Sequence, residues 1–261
     1  MEMTVLQRLG KTERQASRDR YVLVLSVILL VILAAAFTRS FYLRPLFDNP
    51  ALPTDLVVHG VVLSLWFLWL FTQTTLVAIG RRDIHRRVGM VGAGLAAAVV
   101  ATGVAAVLGV VPRVIARGES IEENMQLFAG VFWGNGGILV AFAVSVAAAI
   151  ALRRHPAAHK RLMLLASIAI TPPAIHRVGL LPFLQMLDSR EVNALMFVFA
   201  GLVALLLSLV LYDVVSRKRL HPVTAWGVPG YLAWFLVCIF IMPGTSLGRT
   251  TAEWLVRHAT N

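Results

Sequence analysis

Long stretches almost free of charge recur along this chain, and they restrict its fold more than any other feature. The first extends from Tyr21 to Phe37, and only 14% of the 261 residues are charged, against about a quarter in a soluble domain. An apolar run of about 18 residues or more is typical of a membrane-spanning helix. The pattern predicts an all-α fold, a polytopic transmembrane bundle of seven helices. Their predicted bounds are about 21–42, 55–79, 86–112, 126–152, 157–182, 191–215 and 223–243.

The basic residues fall in short clusters between the apolar runs. The N-terminal segment and the loops after the second, fourth and sixth runs hold 16 of the 24 Lys and Arg residues, and the other segments hold eight. Cytoplasmic loops carry the excess of Lys and Arg, so the N-terminus is predicted to be cytoplasmic and the C-terminus outside. The net charge of +11 is not concentrated on one face or tail. Nucleic acid is therefore excluded as a partner, and the lipid bilayer is predicted instead.

The same pattern divides the chain into three parts. Residues 1–20 are predicted to form a basic cytoplasmic segment, residues 21–243 the seven-helix transmembrane domain, and residues 244–261 an extracytoplasmic tail. Thr250 and Glu253 match a capping box, which predicts a short interfacial helix in the tail. A frayed tail is the alternative.

Two histidines inside the predicted spans are candidates for a cofactor site, because ionisable groups in a bilayer are costly and commonly functional. At 1.5 Å per residue, His59 lies about 5 Å and His176 roughly 9 Å from the outer boundary of a core of about 30 Å. Two neutral imidazoles from different helices commonly hold haem. We therefore predict that both histidines ligate the iron of haem b, with Arg177 beside a propionate, Asp55 or Asp188. A hydrogen bond across helices is the alternative.

Two further histidines begin predicted helices on the basic side. His85 and His159 stand in similar strings, His-Arg-Arg and His-Lys-Arg. Their positions are compatible with a second haem, or with a quinone or anion site at paired helix N-termini. The short motif favours the simpler interpretation, contact of His–Arg clusters with lipid headgroups.

Three classes of function fit these features. A haem b redox protein would pass electrons between a quinone or small donor and an acceptor. A cofactor-free carrier or channel would contain a cavity lined by polar side chains. A membrane assembly or structural protein would need no chemistry. Pro172 and Pro173 are predicted to bend the fifth helix, which suits the first two classes. The spans hold no deep acidic residue to relay protons, which favours the redox protein. No nucleotide-binding loop, Ser-His-Asp arrangement or zinc motif assigns an enzyme class.

Several short strings are spread over most of the chain: Phe41–Phe47, His59–Gln73, Ile84–Gly89, Ala158–Met163 and Tyr212–Trp226. In them the chain resembles a widespread, uncharacterised bacterial family of seven-helix membrane proteins. The helix starts with His-Arg or His-Lys are more distantly similar to haem A synthase-like proteins and to transmembrane ascorbate-dependent cytochromes b. The resemblance implies a bacterial inner (cytoplasmic) membrane protein that holds haem by paired histidines. The predicted fourth helix has no histidine, so one clear transmembrane pair remains, the two histidines of the outer layer.

Overall fold

The computed structural model describes residues 2–47, 49–179 and 192–260, with side chains described from Arg20 and, after the second gap, from Leu195. Every regular element in these ranges is helical, and the all-α prediction is confirmed for them. The helices are α1 (Glu2–Phe37), α2 (Thr54–Ala78), α3 (Arg82–Leu108), α4 (Val110–Ala116), α5 (Met125–Gly130), α6 (Gly136–Ala151), α7 (Pro156–Ala169), α8 (Pro172–Gly179), α9 (Val192–Arg217), α10 (Pro222–Leu236) and α11 (Ser246–Thr260).

Within the described ranges, six helical stretches are long and apolar enough to cross a membrane. They are Arg20–Tyr42, Thr54–Ala78, Arg82–Leu108, Met125–Ala151, Leu195–Arg217 and Pro222–Gly244. A seventh exists if α7 and α8, which are bent by 46° at a short break, count as one span. The stretches lie close to the predicted runs, but the third ends at Leu108, before its predicted end. Large apolar side chains such as Val31, Leu65 and Leu211 are exposed on the outside, as expected of a surface that meets lipid.

Helix α7 lies at the centre of the bundle. Every residue from 164 to 172 is buried, and α7 packs against α1, α6, α9 and α10. It is the one described helix in which such a long unbroken run is buried, because it has neighbours on all sides. The other long helices bury a single stripe, as Leu25, Leu29 and Leu33 do on α1.

The Pro-Pro pair at the start of α8 causes the break after α7. In a continuous helix the carbonyls of Ile168 and Ala169 would accept hydrogen bonds from these prolines, which have no N–H. The Thr171 N–H donates to Ile168 O instead, at 3.0 Å. The Tyr231 hydroxyl of α10 donates to Ala169 O at 3.1 Å. The bend therefore leaves both carbonyls with a partner, which an apolar environment requires.

Helices α2, α3, α6 and α7 form a four-helix unit. Helix α3 packs on α2 and α6, and α6 packs on α7. Trp66 joins α2 to the other two helices. Its Nε1 donates to Ser167 Oγ of α7 at 3.2 Å, and its indole meets the Phe142 ring of α6 edge-on at 4.9 Å. Helices α3 and α7 therefore stand diagonally across the unit. We call the end where α3, α7 and α10 begin the basic end, after its Arg- and Lys-rich loops.

The register of these helices sets which residues meet at the basic end. Seven residues make two helical turns. Counting seven residues from the layer of Trp66 and Phe142 toward the basic end leads to Gln73 on α2 and Ala149 on α6. The first turn of α7, which contains His159, reaches the same level, since His159 contacts Ala149. The side chains of this layer form the candidate site.

The C-terminal helix α11 covers α4 and α5 at the opposite end of the bundle. Val111, Phe128 and Leu255 are fully buried in a separate apolar cluster there. Trp133 Nε1 donates to Thr251 Oγ1 of α11 at 3.0 Å. The tail is thus helical from Ser246, and one face of the helix is packed against the protein.

Candidate functional site

The structure places His85 and His159 at the same end of the bundle, the basic end. They come from the first turns of α3 and α7, the two diagonal helices of the four-helix unit. Both side chains are half-buried. His85 also lies against the backbone carbonyl of Gln73 on α2. The interior of the unit therefore presents two imidazoles at one level.

The hydrogen bond of His159 fixes its tautomer. Nδ1 lies 2.8 Å from Ala149 O, and because a carbonyl can only accept, Nδ1 carries the proton and Nε2 keeps its lone pair. Histidines that bind metals are usually held in this way, with the second ring nitrogen donating to a carbonyl or carboxylate. His159 can therefore offer Nε2 to a metal or to a hydrogen-bond donor.

Buried polar atoms without a protein partner line the α2–α3 side of this site. Gln73 is 4% exposed, and neither atom of its side-chain amide has a hydrogen-bond partner. Trp69 Nε1, one turn away on α2, and His85 Nδ1 also have none. The Trp69 ring packs so closely on Gly92 of α3 that a Cβ there would lie 2.1 Å from it. Buried polar groups are almost always hydrogen-bonded, so these atoms mark a place where a ligand can bind.

A buried ion pair stands beside the site. Arg161 Nε donates to Asp213 Oδ1 of α9 at 2.9 Å, and Nη2 donates to the same oxygen. The residues are 1% and 0% exposed. Asp213 Oδ2 accepts from the His221 N–H at 2.9 Å. The pair therefore ties the start of α7, two residues after His159, to α9 and to the loop before α10.

Stacked tyrosines extend this connection to α1. The rings of Tyr21 and Tyr212 are parallel within 9° at 4.3 Å, and the Tyr21 hydroxyl is 3.0 Å from Ser208 Oγ. The Lys160 and Arg161 cations lie over the Tyr212 ring at 5.4 and 5.2 Å. Four helices (α1, α7, α9 and α10) are thereby held together next to His159.

His221, in the loop before α10, is held neutral. Its Nδ1 accepts a hydrogen bond from the Val223 N–H at 3.1 Å and so caps α10. Burial lowers the pKa of His221, and the charges of Arg161 and Arg217 lower it further, while Asp213 acts in the opposite direction. The cap needs the unprotonated ring, and the low pKa keeps the ring unprotonated at neutral pH.

At the opposite end, His59 faces α3. Its Nδ1 lies 3.1 Å from Thr102 Oγ1, whose hydroxyl donates to Ala98 O at 2.8 Å. Because that hydroxyl proton is already used, His59 Nδ1 donates and Nε2 is unprotonated. Asp55, one turn before His59, pairs with Arg113 of α4 at 2.6 Å. Of the three partners considered for Arg177, Asp55 is thus paired with Arg113 instead.

His176 and Arg177 lie on α8, which packs against α1 and α9. Both residues are exposed, and the Arg177 guanidinium stands over the Phe37 ring at 4.6 Å. Helix α1 packs against both α2 and α8, and over the described residues no hydrogen bond or ring contact joins His59 to His176. Asp188, the other expected partner of Arg177, lies outside the described residues.

An apolar groove of about 310 Å³ runs between α3, α6 and α10. The indole N–H groups of Trp133 and Trp234 in its wall are bonded to Thr251 Oγ1 and Gly137 O. Its lining therefore offers no free polar group to a ligand. Among the described residues, including those at the basic end, no three His, Cys, Asp or Glu side chains form a metal-binding cluster.

No protein-family model, curated protein or solved structure matches the chain.

Proposed function

We propose that this chain is a multi-pass protein of the bacterial inner membrane that binds haem b at the basic end and passes electrons between a quinone or small donor and an acceptor. The location of His85 and His159 at the same end of the four-helix unit, on two different helices, carries the proposal. Cofactor sites in helical bundles are built from side chains on facing helices. The resemblance of both helix starts to haem-binding membrane proteins points the same way.

The residues present fit haem. His159 offers an unprotonated Nε2 and is oriented by the carbonyl of Ala149, and His85 supplies a second imidazole from the diagonal helix. Bound haem would supply reversible one-electron chemistry. The protein would hold the two rings, exclude water by burial, and keep α7 in register through the ion pair of Arg161 and Asp213. Each of these tasks belongs to a described side chain.

The orientation in the membrane follows from the distribution of charge. The basic end holds the loops that contain most of the Lys and Arg residues, and such loops stay in the cytoplasm. The N-terminus is then inside, the C-terminus outside, and the haem near the cytoplasmic face. An electron donor or acceptor would meet the site from that side or from the inner leaflet.

Two alternatives keep specific support. His59 has an unprotonated Nε2, so the outer pair of His59 and His176, with Arg177 near a propionate, is a second haem site if the helices rearrange on binding. The broken helix α7–α8 at the bundle centre is also a common feature of carriers. A cofactor-free carrier is therefore the second candidate function.

The first prediction is that removing either histidine at the basic end, His85 or His159 (the inner histidines), abolishes haem binding. The protein is expressed with added haem, purified, and examined by visible spectroscopy before and after reduction with dithionite. The wild type should show a Soret band that shifts on reduction. His85→Ala and His159→Ala should each lose it, because a haem held by two imidazoles needs both.

His155→Ala is the matched control, since His155 is an exposed histidine one turn before His159; this variant should keep the full spectrum. Loss of the spectrum in His59→Ala or His176→Ala, with His85→Ala unaffected, would assign the haem to the outer pair. A wild type without haem would refute the redox proposal and leave the carrier.

A further inference from the structure

The side-chain amide of Gln73 is buried but makes no hydrogen bond within the protein, as expected of a group that binds a ligand. It is 4% exposed, and both its amide nitrogen and its amide oxygen lack a partner. A primary amide buried without hydrogen bonds destabilises a protein, and apolar surroundings make this cost larger. A leucine or methionine of similar volume would fill the same space without the cost. A polar group kept in such a place is therefore explained by something that binds to it.

The position of Gln73 agrees with this explanation. It lies two turns from Trp66 on nearly the same face of α2, and Trp66 faces α6 and α7. The layer of Gln73 includes Ala149, the residue whose carbonyl orients His159. His85 lies against the backbone of Gln73 itself. Gln73 is thus next to His85 and lies at the same level of the bundle as His159.

We infer that Gln73 is a ligand-binding residue, whose amide N–H donates to an acceptor oxygen of the molecule bound between α2, α3 and α7. Trp69 Nε1, one turn away and also unpartnered, is a second donor on the same wall. Two molecules present such an oxygen: haem, through a propionate, and a quinone, through a ring carbonyl. The inference rests on the proposed function for the location of the site, and it adds the residue that recognises the polar edge of the ligand.

The second prediction tests this inference by comparing the wild type with Gln73→Met, which keeps the side-chain volume and removes the amide. The control is Thr72→Val, since Thr72 is the exposed neighbour of Gln73 and bonds only its own helix, at Leu68 O. Each protein is purified without cofactor. Three quantities are measured: the melting temperature of the apoprotein, the dissociation constant of haem b, and that of a short-chain quinone.

Gln73→Met should melt about 2–4 °C higher than the wild type, because an unsatisfied buried amide is removed. It should bind the true ligand about tenfold more weakly, while Thr72→Val changes neither quantity. Weaker haem binding alone identifies the propionate, and weaker quinone binding alone identifies the quinone carbonyl. The wild type could instead bind quinone but not haem. If Gln73→Met then weakens quinone binding, the haem proposal fails and the role of Gln73 stands.

Unchanged affinity for both ligands in Gln73→Met, with a lower melting temperature, would show that Gln73 is a structural residue and would overturn the inference. In that case haem binding by the wild type would still support the proposed function. A wild type that binds neither ligand would refute both proposals.

Discussion

Single charges matter at the basic end because they are withdrawn from solvent. Arg161 and Asp213 are almost completely buried, and taking two ions out of water costs several kcal/mol each. Their hydrogen bonds with each other and with the His221 N–H offset this cost. The pair therefore fixes the position of α7 relative to α9, and loss of one partner should lower the stability of the protein.

The third prediction tests this dependence. Asp213→Leu should lower the free energy of unfolding by about 3–5 kcal/mol, because it leaves the Arg161 charge buried without a partner. The double variant Arg161→Met/Asp213→Leu should recover much of the loss, since it buries no charge. Unfolding in mixed detergent, followed by circular dichroism, measures both. Glu119→Ala is the control, because it breaks an exposed ion pair with Arg117 and should change nothing measurable.

Equal stability of the single and double variants would show that the ion pair does not couple the two helices. The sequence alone could not have identified this pair. Arg161 and Asp213 are 52 positions apart, and Asp213 stands close in sequence to other cations, among them Arg217. Only the packing of α7 against α9 decides which cation it meets.

At the scale of the helix, the break between α7 and α8 is stabilised from outside the helix. The Tyr231 hydroxyl of α10 supplies the donor that the proline at position 173 cannot. The bend was predictable from the two prolines, because the missing N–H groups are a local property. The tyrosine was not, because its contact depends on how α10 lies against α7.

The fourth prediction is a stability cost in Tyr231→Phe. The variant leaves Ala169 O buried without a donor, which should lower the free energy of unfolding by about 1–3 kcal/mol. Adding Pro173→Ala should restore part of it, because this residue regains an N–H four positions after Ala169. Tyr42→Phe is the control: its hydroxyl pairs with Ser64 at an exposed position, and its loss should have little effect. No recovery in the Tyr231→Phe/Pro173→Ala double variant would show that the tyrosine acts by packing alone.

At the scale of the whole molecule, the basic loops and the apolar runs both predict a multi-pass helical bundle. Both are local features of the sequence, which is why the bounds of the described helices were largely predictable. The site was predictable only in part. His85 and His159 were singled out by their position at helix starts, but their placement in one four-helix unit depends on how α3 and α7 pack. The outer pair rested on equal depth, which does not determine the direction in which a side chain points.

The fifth prediction concerns topology. Reporter fusions after residues 20, 118 and 220 should report inside, outside and inside, and a fusion at the C-terminus should report outside. The expectation rests on the rule that basic loops remain in the cytoplasm and on counting α7 and α8 together as one span. A cytoplasmic C-terminus would contradict seven crossings and would mean that α7–α8 enters and leaves on the same side.

The short length of α7 has a consequence for biosynthesis. Its 14 residues extend about 21 Å, less than the apolar core of about 30 Å, and its second turn carries the charges of Lys160 and Arg161. Such a segment is a poor substrate for the insertion machinery on its own. Asp213, which neutralises Arg161, leaves the ribosome 52 residues later. We therefore expect the central helix to reach its final position only when α9 arrives, which would make the middle of the bundle one of the last parts of the protein to assemble.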